Sequence, residues 1–255
     1  MYKIPASTLF VGKKLVYVPE CHSTNTLAAE LSQRGSVVEG TLVITRNQFG
    51  GRGQRGNQWI SEPGKNLTFS LILKPTFLKP DQQFRLTQVI SLAVADYTKG
   101  RTHHIVKIKW PNDVLANNKK ICGILIENSI SGDTIQNSIV GVGLNINQTE
   151  FTENKGTSLK NETGLDFDLQ YELNELLLCI EVRYLQLRDG KIERLAEDYL
   201  QRLYRIGEVH SFRIGDNKKQ GVIEGVDHRG RLVVLIDDVK QFFDLKEISF
   251  GDKDS

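Results

Sequence analysis

The stretch that decides the fold is Gln48–Trp59, which reads Gln48-Phe49-Gly50-Gly51-Arg52-Gly53-Gln54-Arg55-Gly56-Asn57-Gln58-Trp59. Four of the seven residues from Gly50 to Gly56 are glycines, and glycine inside a helix or strand costs roughly 0.5 to 1 kcal/mol relative to alanine. This segment, the glycine loop, is therefore predicted to bend sharply and to let its backbone N–H groups approach a ligand. Its two arginines indicate an anion, because N–H groups and guanidinium groups both bind carboxylate or phosphate.

Apolar runs on both sides of the glycine loop predict strands that hold it. Thr41–Thr45 precedes the loop and Leu67–Leu73 follows it. These strands favour a loop that is held in place and forms a binding site. The alternatives are a flexible surface loop and an RNA-binding arginine–glycine segment. The pattern G-x-x-x-x-G-K-[ST] is absent, so a nucleotide phosphate would not be bound by the P-loop mechanism.

Composition and length limit the class of protein. A chain of 255 residues can form one large domain and a small one. Its 39% hydrophobic and 25% charged residues are typical of a soluble globular protein, and a net charge of +2 argues against bulk polyanion binding. Three cysteines without C-x-x-C spacing predict a reducing cytoplasm and neither disulfides nor structural zinc. No signal peptide or membrane helix is expected, so we expect a cytosolic protein.

The N-terminal half predicts a strand, then two helices separated by the glycine loop and its flanking strands. Lys14–Val18 is a predicted strand, and the hydroxyl of Ser23 or Thr24 is expected to cap a helix that ends at Gly35. The same hydroxyls could also bind a polar ligand. A second helix is predicted over residues 80–100, with proline in its first turn and glycine at its end.

The middle of the chain predicts three strands. Ile105–Trp110 is followed by a hairpin turn at Asn117-Asn118, where asparagine tolerates positive φ, and then by the strand Lys120–Glu127. Thr134–Val140 is the next strand. It leads into Gly141–Asn147, whose G-x-G lacks the third glycine of a dinucleotide-binding fingerprint, so these glycines are expected to let backbone approach a ligand.

The C-terminal part predicts a change of architecture near residue 205. Phe151–Asp166 is predicted to be a loop, Asp168 to cap a long helix that Gly190 ends, and Ile192–Tyr204 to be a shorter helix. Beyond it, short strands with glycine-rich turns fit a small SH3-like barrel. Its predicted strands are Glu208–Ile214, Gly221–Asp227, Gly230–Ile236 and Val239–Leu245.

Four motifs in this order resemble those of biotin protein ligases. They are Gly51-Arg52-Gly53, Lys109-Trp110-Pro111-Asn112-Asp113, Lys120-Ile121-Cys122-Gly123-Ile124-Leu125 and Gly141-Val142-Gly143-Leu144-Asn145. The resemblance runs from about residue 15 to 150 and extends, less specifically, to the SH3-like tail. It implies an α+β fold like that of class II aminoacyl-tRNA synthetases, a mixed sheet flanked by helices. Residues 1–205 would form the catalytic domain and 206–255 the SH3-like domain.

The resemblance also implies an activity. Such enzymes use ATP, Mg²⁺ and biotin to make biotinyl-5′-adenylate, and then transfer biotin to a specific lysine of the biotin carboxyl carrier domain of a biotin-dependent carboxylase. The catalytic residues implied are Lys120 and Arg52, and metal ligands stay unassigned. The implied biotin-binding residues are Ser23, Thr24, Asn25, Gln48, Gly51, Arg52, Gly53, Gln54, Lys120, Gly123 and Gly141. The implied ATP-binding residues are Arg52, Gln54, Arg55, Asn57, Trp59, Asn112, Asp113, Lys120 and Asn145.

This chemistry requires no protein nucleophile. When a carboxylate attacks the α-phosphorus, negative charge gathers on phosphoryl oxygens, and catalysis depends on positioning and on cations and N–H donors. The sequence shows no convincing Ser/His/Asp constellation. Its five histidines are scattered, at His22, His103, His104, His210 and His228.

Two departures from the resemblance affect the expected behaviour. Gln54 and Asn57 stand where many family members carry further arginines, so the glycine loop brings less charge to a bound phosphate. The chain begins close to the catalytic domain, with no room for a winged helix, so DNA binding is not expected. Whether the protein forms a homodimer through an edge of the catalytic sheet is left open.

Two alternative functions were weighed. A lipoate or octanoate ligase or transferase of the same fold superfamily also modifies a carrier lysine, but the Gly-Arg-Gly loop and the Lys-Trp-Pro-Asn-Asp run favour biotin. A nucleic-acid-binding module would use the glycine loop and the barrel. The small net charge and the lack of interleaved basic and aromatic residues argue against it.

Overall fold

A computed structural model describes residues 2–35, 37–152 and 156–251, with the backbone alone at Arg55. The larger of its two sheets has seven strands in the order β1-β2-β3-β7-β6-β5-β4. β1 and β2 are parallel, and every other neighbouring pair in this order is antiparallel. The strands are β1 Leu15–Cys21, β2 Thr41–Gln48, β3 Leu67–Leu73, β4 Val106–Lys109, β5 Asp113–Ala116, β6 Lys119–Ser131 and β7 Thr134–Leu144.

Helices cover both faces of this sheet. Because side chains alternate across a strand, Val43 of β2 packs with Ala28 of the first helix, whereas Leu42 and Ile44 point into the main core on the other face. The helices are α1 Thr24–Gln33, α2 Phe84–Lys99, α3 Leu159–Thr163, α4 Leu169–Arg188 and α5 Ile192–Arg202, with 3₁₀ turns at Gln54–Gly56 and Pro80–Gln82. Among the described residues, none of the helices is long and apolar enough to cross a membrane.

The C-terminal sheet is a separate antiparallel unit of five strands, in the order β11-β10-β9-β8-β12, and forms the SH3-like domain. It packs against the larger sheet through Trp110, whose Nε1 donates to the carbonyl oxygen of Gly230 at 2.9 Å. Gly230 has φ +92°, and a Cβ there would overlap the Phe84 ring, so both conformation and space require glycine. The strands are β8 Val209–Ile214, β9 Asn217–Val226, β10 Leu232–Ile236, β11 Val239–Phe243 and β12 Ile248–Phe250.

Most predicted elements are confirmed, with shifted ends. Asn117 and Asn118 form the predicted turn with φ of 50° and 61°, and Asp168 caps α4 by accepting from the Tyr171 N–H at 2.7 Å. Ser23 is the N-cap of α1. Among the described residues, however, no backbone N–H donates a capping hydrogen bond to its side chain, so the predicted cap by the Ser23 hydroxyl is wrong.

Three elements were missed, and the first is β5 Asp113–Ala116, a four-residue strand between the predicted strand Ile105–Trp110 and the predicted turn at Asn117-Asn118. Phe151–Asp166 was predicted to be a loop, but it contains α3, which the Ser158 hydroxyl caps by accepting from the Asn161 N–H at 3.1 Å. β12 was missed because three residues, Ile248–Phe250, are too few to show a pattern. The domain division after residue 205 stays a prediction, with β8 beginning at Val209.

A buried carboxylate anchors the N-terminal segment to α4. Glu181, which is 3% exposed, accepts from the backbone N–H groups of Leu9, Phe10 and Val11 at 2.6, 2.8 and 2.9 Å. We expect Glu181→Ala to lower the free energy of unfolding by about 3 kcal/mol, because it leaves buried donors without an acceptor. Chemical denaturation measures this, with the exposed Glu197→Ala on α5 as the control. Equal stability of the two variants would contradict the anchoring role.

Candidate active site

The glycine loop is an ordered hairpin in the structure. β2 ends at Gln48, and the loop closes through hydrogen bonds from the Gly53 N–H to the Asn57 oxygen at 2.7 Å and from the Trp59 N–H to the Gly51 oxygen at 2.9 Å. A Cβ on Gly51 would overlap the Trp59 carbonyl, so a side chain there would break this closure. These contacts give the glycine loop a defined hairpin conformation in the structure.

A cavity of about 390 Å³ lies between the glycine loop, the larger sheet and the SH3-like domain. Gly51 and Asn145 do not line it, and the side chain of Arg55 lies outside the described part of the chain. As far as the chain is described, none of the five histidines lines it either. The predicted site residues that do line it are Ser23, Thr24, Asn25, Gln48, Arg52, Gly53, Gln54, Asn57, Trp59, Asn112, Asp113, Lys120, Gly123 and Gly141.

One end of the cavity carries a network of uncharged polar groups at the start of α1. The Gln48 Oε1 accepts from the Thr24 N–H at 2.8 Å, and the Ser70 hydroxyl lies 2.8 Å from the Thr24 Oγ1 and 2.6 Å from the Asn25 Oδ1. The Asn25 Nδ2 donates to the Leu125 oxygen at 3.3 Å. These bonds fix the orientation of each group, as recognition of a small polar ring requires.

Two glycine contacts shape the walls. A Cβ on Gly141 would overlap the Asn25 Oδ1, and a Cβ on Gly143 would overlap the Trp59 indole. A Cβ on Gly123 would lie 2.9 Å from the same indole. The glycines therefore allow Asn25 and Trp59 to lie close to the sheet, and the predicted approach of the Gly141 backbone to a ligand stays a prediction.

Two of the cations that line the cavity, Lys120 and Arg52, are paired with carboxylates. The Lys120 Nζ lies 2.7 Å from the Asp113 Oδ1 and 5.6 Å from the centroid of the Trp59 ring. The Arg52 Nη2 lies 3.1 Å from the Glu127 Oε2. Together with Lys109, three described cations thus line one cavity, which suits a ligand with more than one anionic group.

The remaining asparagines have defined partners. The Asn112 Nδ2 donates to the Ile124 oxygen at 2.6 Å, which joins the segment before β5 to β6 beside the cavity. Asn145 is 4% exposed and its Nδ2 donates to the Thr157 oxygen at 2.9 Å, away from the cavity lining. The predicted nucleotide contact of Asn145 stays a prediction, and in this structure the residue holds the Thr157 segment.

Trp59 carries a buried hydrogen-bond donor that indicates a ligand-binding site. Its Nε1 is buried, and no described residue accepts a hydrogen bond from it. Buried polar groups without a partner are uncommon in native proteins. Such a donor marks a place where a ligand can accept a hydrogen bond.

Sequence reasoning missed the wall that the SH3-like domain contributes. Tyr204, Phe212 and Phe250 line the cavity from that side, and the Phe250 ring packs 5.6 Å from Phe212 and 6.2 Å from Tyr204. The Lys109 Nζ lies 4.9 Å from the Phe250 centroid. No local signal in the tail indicates this wall, because it is formed only when the two domains pack together.

Neither a thiolate nucleophile nor a metal cluster is built at this site. Burial raises the pKa of the Cys122 thiol well above its usual range, so the cysteine nearest Lys120 stays protonated. The described residues contain no group of three His, Cys, Asp or Glu side chains that could hold a metal ion. Asp113, which lines the cavity, is paired with Lys120, and Glu127 on β6 is paired with Arg52.

Comparison with known proteins identifies the family. Residues 17–145 match the Biotin/lipoate A/B protein ligase family. The chain is 32% identical to a biotin--[acetyl-CoA-carboxylase] ligase of Paracoccus denitrificans over 240 residues, 90% of this chain and 97% of that protein. It is 35% identical to the bifunctional ligase/repressor BirA of Bacillus spizizenii over 69% of this chain and 55% of that relative, so it spans about half that protein's length.

A solved structure gives the same answer. The Aquifex aeolicus biotin protein ligase in complex with biotin and ATP superposes with a TM-score of 0.78 at 28% identity, covering 93% of this chain and 98% of that one. The sheet, the flanking helices and the C-terminal domain of this chain thus have the arrangement of a biotin protein ligase. Sequence and structure together show that the chain belongs to the Biotin/lipoate A/B protein ligase family.

Proposed function

We propose that this protein is an ATP-dependent biotin protein ligase. The observation that carries the proposal is the single cavity in which the uncharged polar network of Thr24, Asn25 and Gln48 lies near the cations Arg52 and Lys120. The first part suits an uncharged ureido ring, and the second suits a carboxylate and a phosphate. Biotin, whose ring and carboxylate are at opposite ends, matches this division, as does the ligase name of the Paracoccus relative.

The reaction has two steps, and the residues act on both through charge and position. A biotin carboxylate oxygen attacks the α-phosphorus of ATP, which forms biotinyl-5′-adenylate and releases pyrophosphate. Lys120 and Arg52 stabilise the negative charge on the phosphoryl and carboxylate oxygens. A carrier lysine amine then attacks the carbonyl carbon, loses a proton, and releases AMP. Mg²⁺ neutralises phosphate charge in such reactions, and here it would enter held by the nucleotide and water.

The nucleotide is assigned to the part of the cavity next to Trp59. The buried Nε1 donor of Trp59, the amide of Asn112 and the aromatic wall of Phe212 and Phe250 offer a mixture of polar and apolar contacts. Gln54 and Asn57 lie over the same cavity on the glycine loop. We assign the adenine and ribose to this region and the ring of biotin to the Asn25 end.

The acceptor is proposed to be the carrier domain of a biotin-dependent carboxylase, as the name of the Paracoccus relative implies for that enzyme. Cys21, Cys122 and Cys179 are free thiols, which supports a reducing compartment such as the cytoplasm. The net charge of +2 supports a protein acceptor over DNA. A homodimer through the sheet edge stays a prediction, and sedimentation with and without ligands tests it.

One experiment separates biotin from lipoate. The protein is incubated with ATP and either radiolabelled biotin or radiolabelled lipoate, and the adenylate is detected by chromatography. Biotinyl or lipoyl carrier domains are then added, and label on the carrier lysine is counted. Adenylate and carrier labelling with biotin alone is the expected result. Labelling with lipoate alone, or with neither acid, would overturn the proposal.

Retention of the adenylate depends on the cover that the glycine loop provides. The mixed anhydride hydrolyses in water, so the site needs a closed lid until the acceptor arrives. Gln54 is half-buried at the cavity and offers an uncharged amide. We expect Gln54→Arg to slow release of the adenylate about fivefold, because a charge-assisted hydrogen bond is about twice as strong as a neutral one.

The measurement is the rate at which adenylate leaves the protein after a single turnover without acceptor. Gln136→Arg, the same change at an exposed position on β7, controls for the added charge. Release from Gln54→Arg that is as fast as from the unaltered protein would show that lid closure depends on other groups.

A further inference from the structure

One carboxylate oxygen joins the glycine loop to the ring-binding end of the cavity. The Glu127 Oε2 accepts from the Asn25 Nδ2 at 2.7 Å and from the Arg52 Nη2 at 3.1 Å. Glu127 lies on β6, within the sheet, whereas Arg52 belongs to the loop. The carboxylate is thus fixed to the scaffold and holds a residue of the lid.

Asn25 does not need Arg52 to stay in place. Its Oδ1 is 2.6 Å from the Ser70 hydroxyl, and its Nδ2 also donates to the Leu125 oxygen. Asn25 is 3% exposed. The Glu127–Asn25 contact therefore involves a buried amide with several other partners, whereas the Glu127–Arg52 contact joins two partly exposed side chains.

The Arg52 pair is exposed enough to exchange partners. The side chains of Arg52 and Glu127 are 50% and 39% exposed, and ion pairs in such positions are weak. The Glu127 contact uses one carboxylate oxygen, whereas a ligand carboxylate or phosphate in the cavity offers Arg52 two oxygens for a bidentate pair in a drier place. When the ligand is present, the exchange of Arg52 from the Glu127 carboxylate to the ligand anion is therefore favoured.

We propose that Glu127 is a positioning residue that holds Arg52 as an internal substitute for the ligand anion, so that the glycine loop exchanges Glu127 for the adenylate each time the site fills and empties. The proposal rests on the proposed function for the identity of the anion. It assigns Glu127 a role in the lifetime of the adenylate, while the ring-binding network stays unchanged.

Glu127→Gln separates the two contacts of the carboxylate. A glutamine Oε1 can still accept from the Asn25 Nδ2, but it brings no charge to compete for Arg52. In the ligand-free protein, we expect amide hydrogen exchange at Gly53 and Trp59 to accelerate about two- to fivefold, because the loop loses its ion pair. Adenylate release after a single turnover is expected to slow by a similar factor, with the affinity for biotin alone unchanged.

Two controls make these outcomes specific. Glu20→Gln removes the same charge from an exposed side chain on β1 and is expected to change neither rate. In an Arg52→Ala background, Glu127→Gln is expected to have no further effect on hydrogen exchange in the ligand-free loop, because the partner it would free is absent.

The outcomes against the proposal are distinct from failure of the proposed function. Unchanged loop exchange in Glu127→Gln, or an effect on loop exchange that persists in Arg52→Ala, would overturn the positioning role. Release that is as fast or faster would overturn the exchange of partners, and a fall in biotin affinity would show that Glu127 acts through Asn25. If the unaltered protein makes no adenylate, the proposed function fails, and loop exchange still decides whether Glu127 holds Arg52.

Discussion

Lys120→Ala is expected to lower the rate of adenylate formation by about 10²- to 10³-fold, the usual effect of removing one preorganised donor from a developing oxyanion. Lys120 is at the beginning of β6, where its Nζ contacts Asp113 and the Trp59 ring at the cavity. Because the side chain is 37% exposed, its removal leaves the core intact. The fall should therefore occur in turnover, while the circular dichroism spectrum is unchanged.

Lys119→Ala is the matched control, because the neighbouring lysine begins the same strand and is exposed to solvent. Adenylate formation is measured by chromatography of products from ATP and labelled biotin, together with thermal denaturation of each variant. Lys119→Ala should keep full activity. Full activity of a folded Lys120→Ala variant would show that Lys120 is not part of the site. The assignment of the α-phosphate to its neighbourhood would then be wrong as well.

Local signals in the sequence predicted the glycine loop and several turns, whereas the predicted site residues came from the resemblance to biotin protein ligases. The glycine loop, the turn at Asn117-Asn118 and the glycine at position 141 each depend on backbone conformation or on close approach, and such requirements select particular residue types directly. The resemblance joined motifs that lie far apart in the chain, which spacing alone does not do.

The features that were missed depend on contacts between distant segments. Glu127 reads as one more polar residue in a strand, and only the folded sheet places its carboxylate beside Asn25 and Arg52. The aromatic wall is formed where Phe250 and Phe212 of the SH3-like domain meet the larger sheet. Asn145, whose nucleotide contact stays a prediction, also has a structural role that its motif does not indicate, because its Nδ2 holds the Thr157 segment.

Gly141→Ala is expected to weaken biotin binding about 10- to 100-fold, because the new methyl group overlaps the Asn25 Oδ1. Asn25 cannot move aside without loss of its bonds to Ser70, Leu125 and Glu127. Leaving a buried polar group without its partner costs about 1 to 3 kcal/mol, which sets the expected range. The polar network, and not the cations, would be the part of the site that is damaged.

Calorimetric titration with biotin in the absence of ATP measures this effect, since no phosphate charge contributes to that affinity. Gly100→Ala is the control for stability, because this glycine ends α2 with φ −71° and has its nearest neighbouring atom 3.4 Å from an added Cβ. The Gly141 variant should lose affinity while it still folds. An unchanged affinity in a folded Gly141→Ala protein would move the biotin ring away from Asn25, and the two ends of the cavity would have to be reassigned.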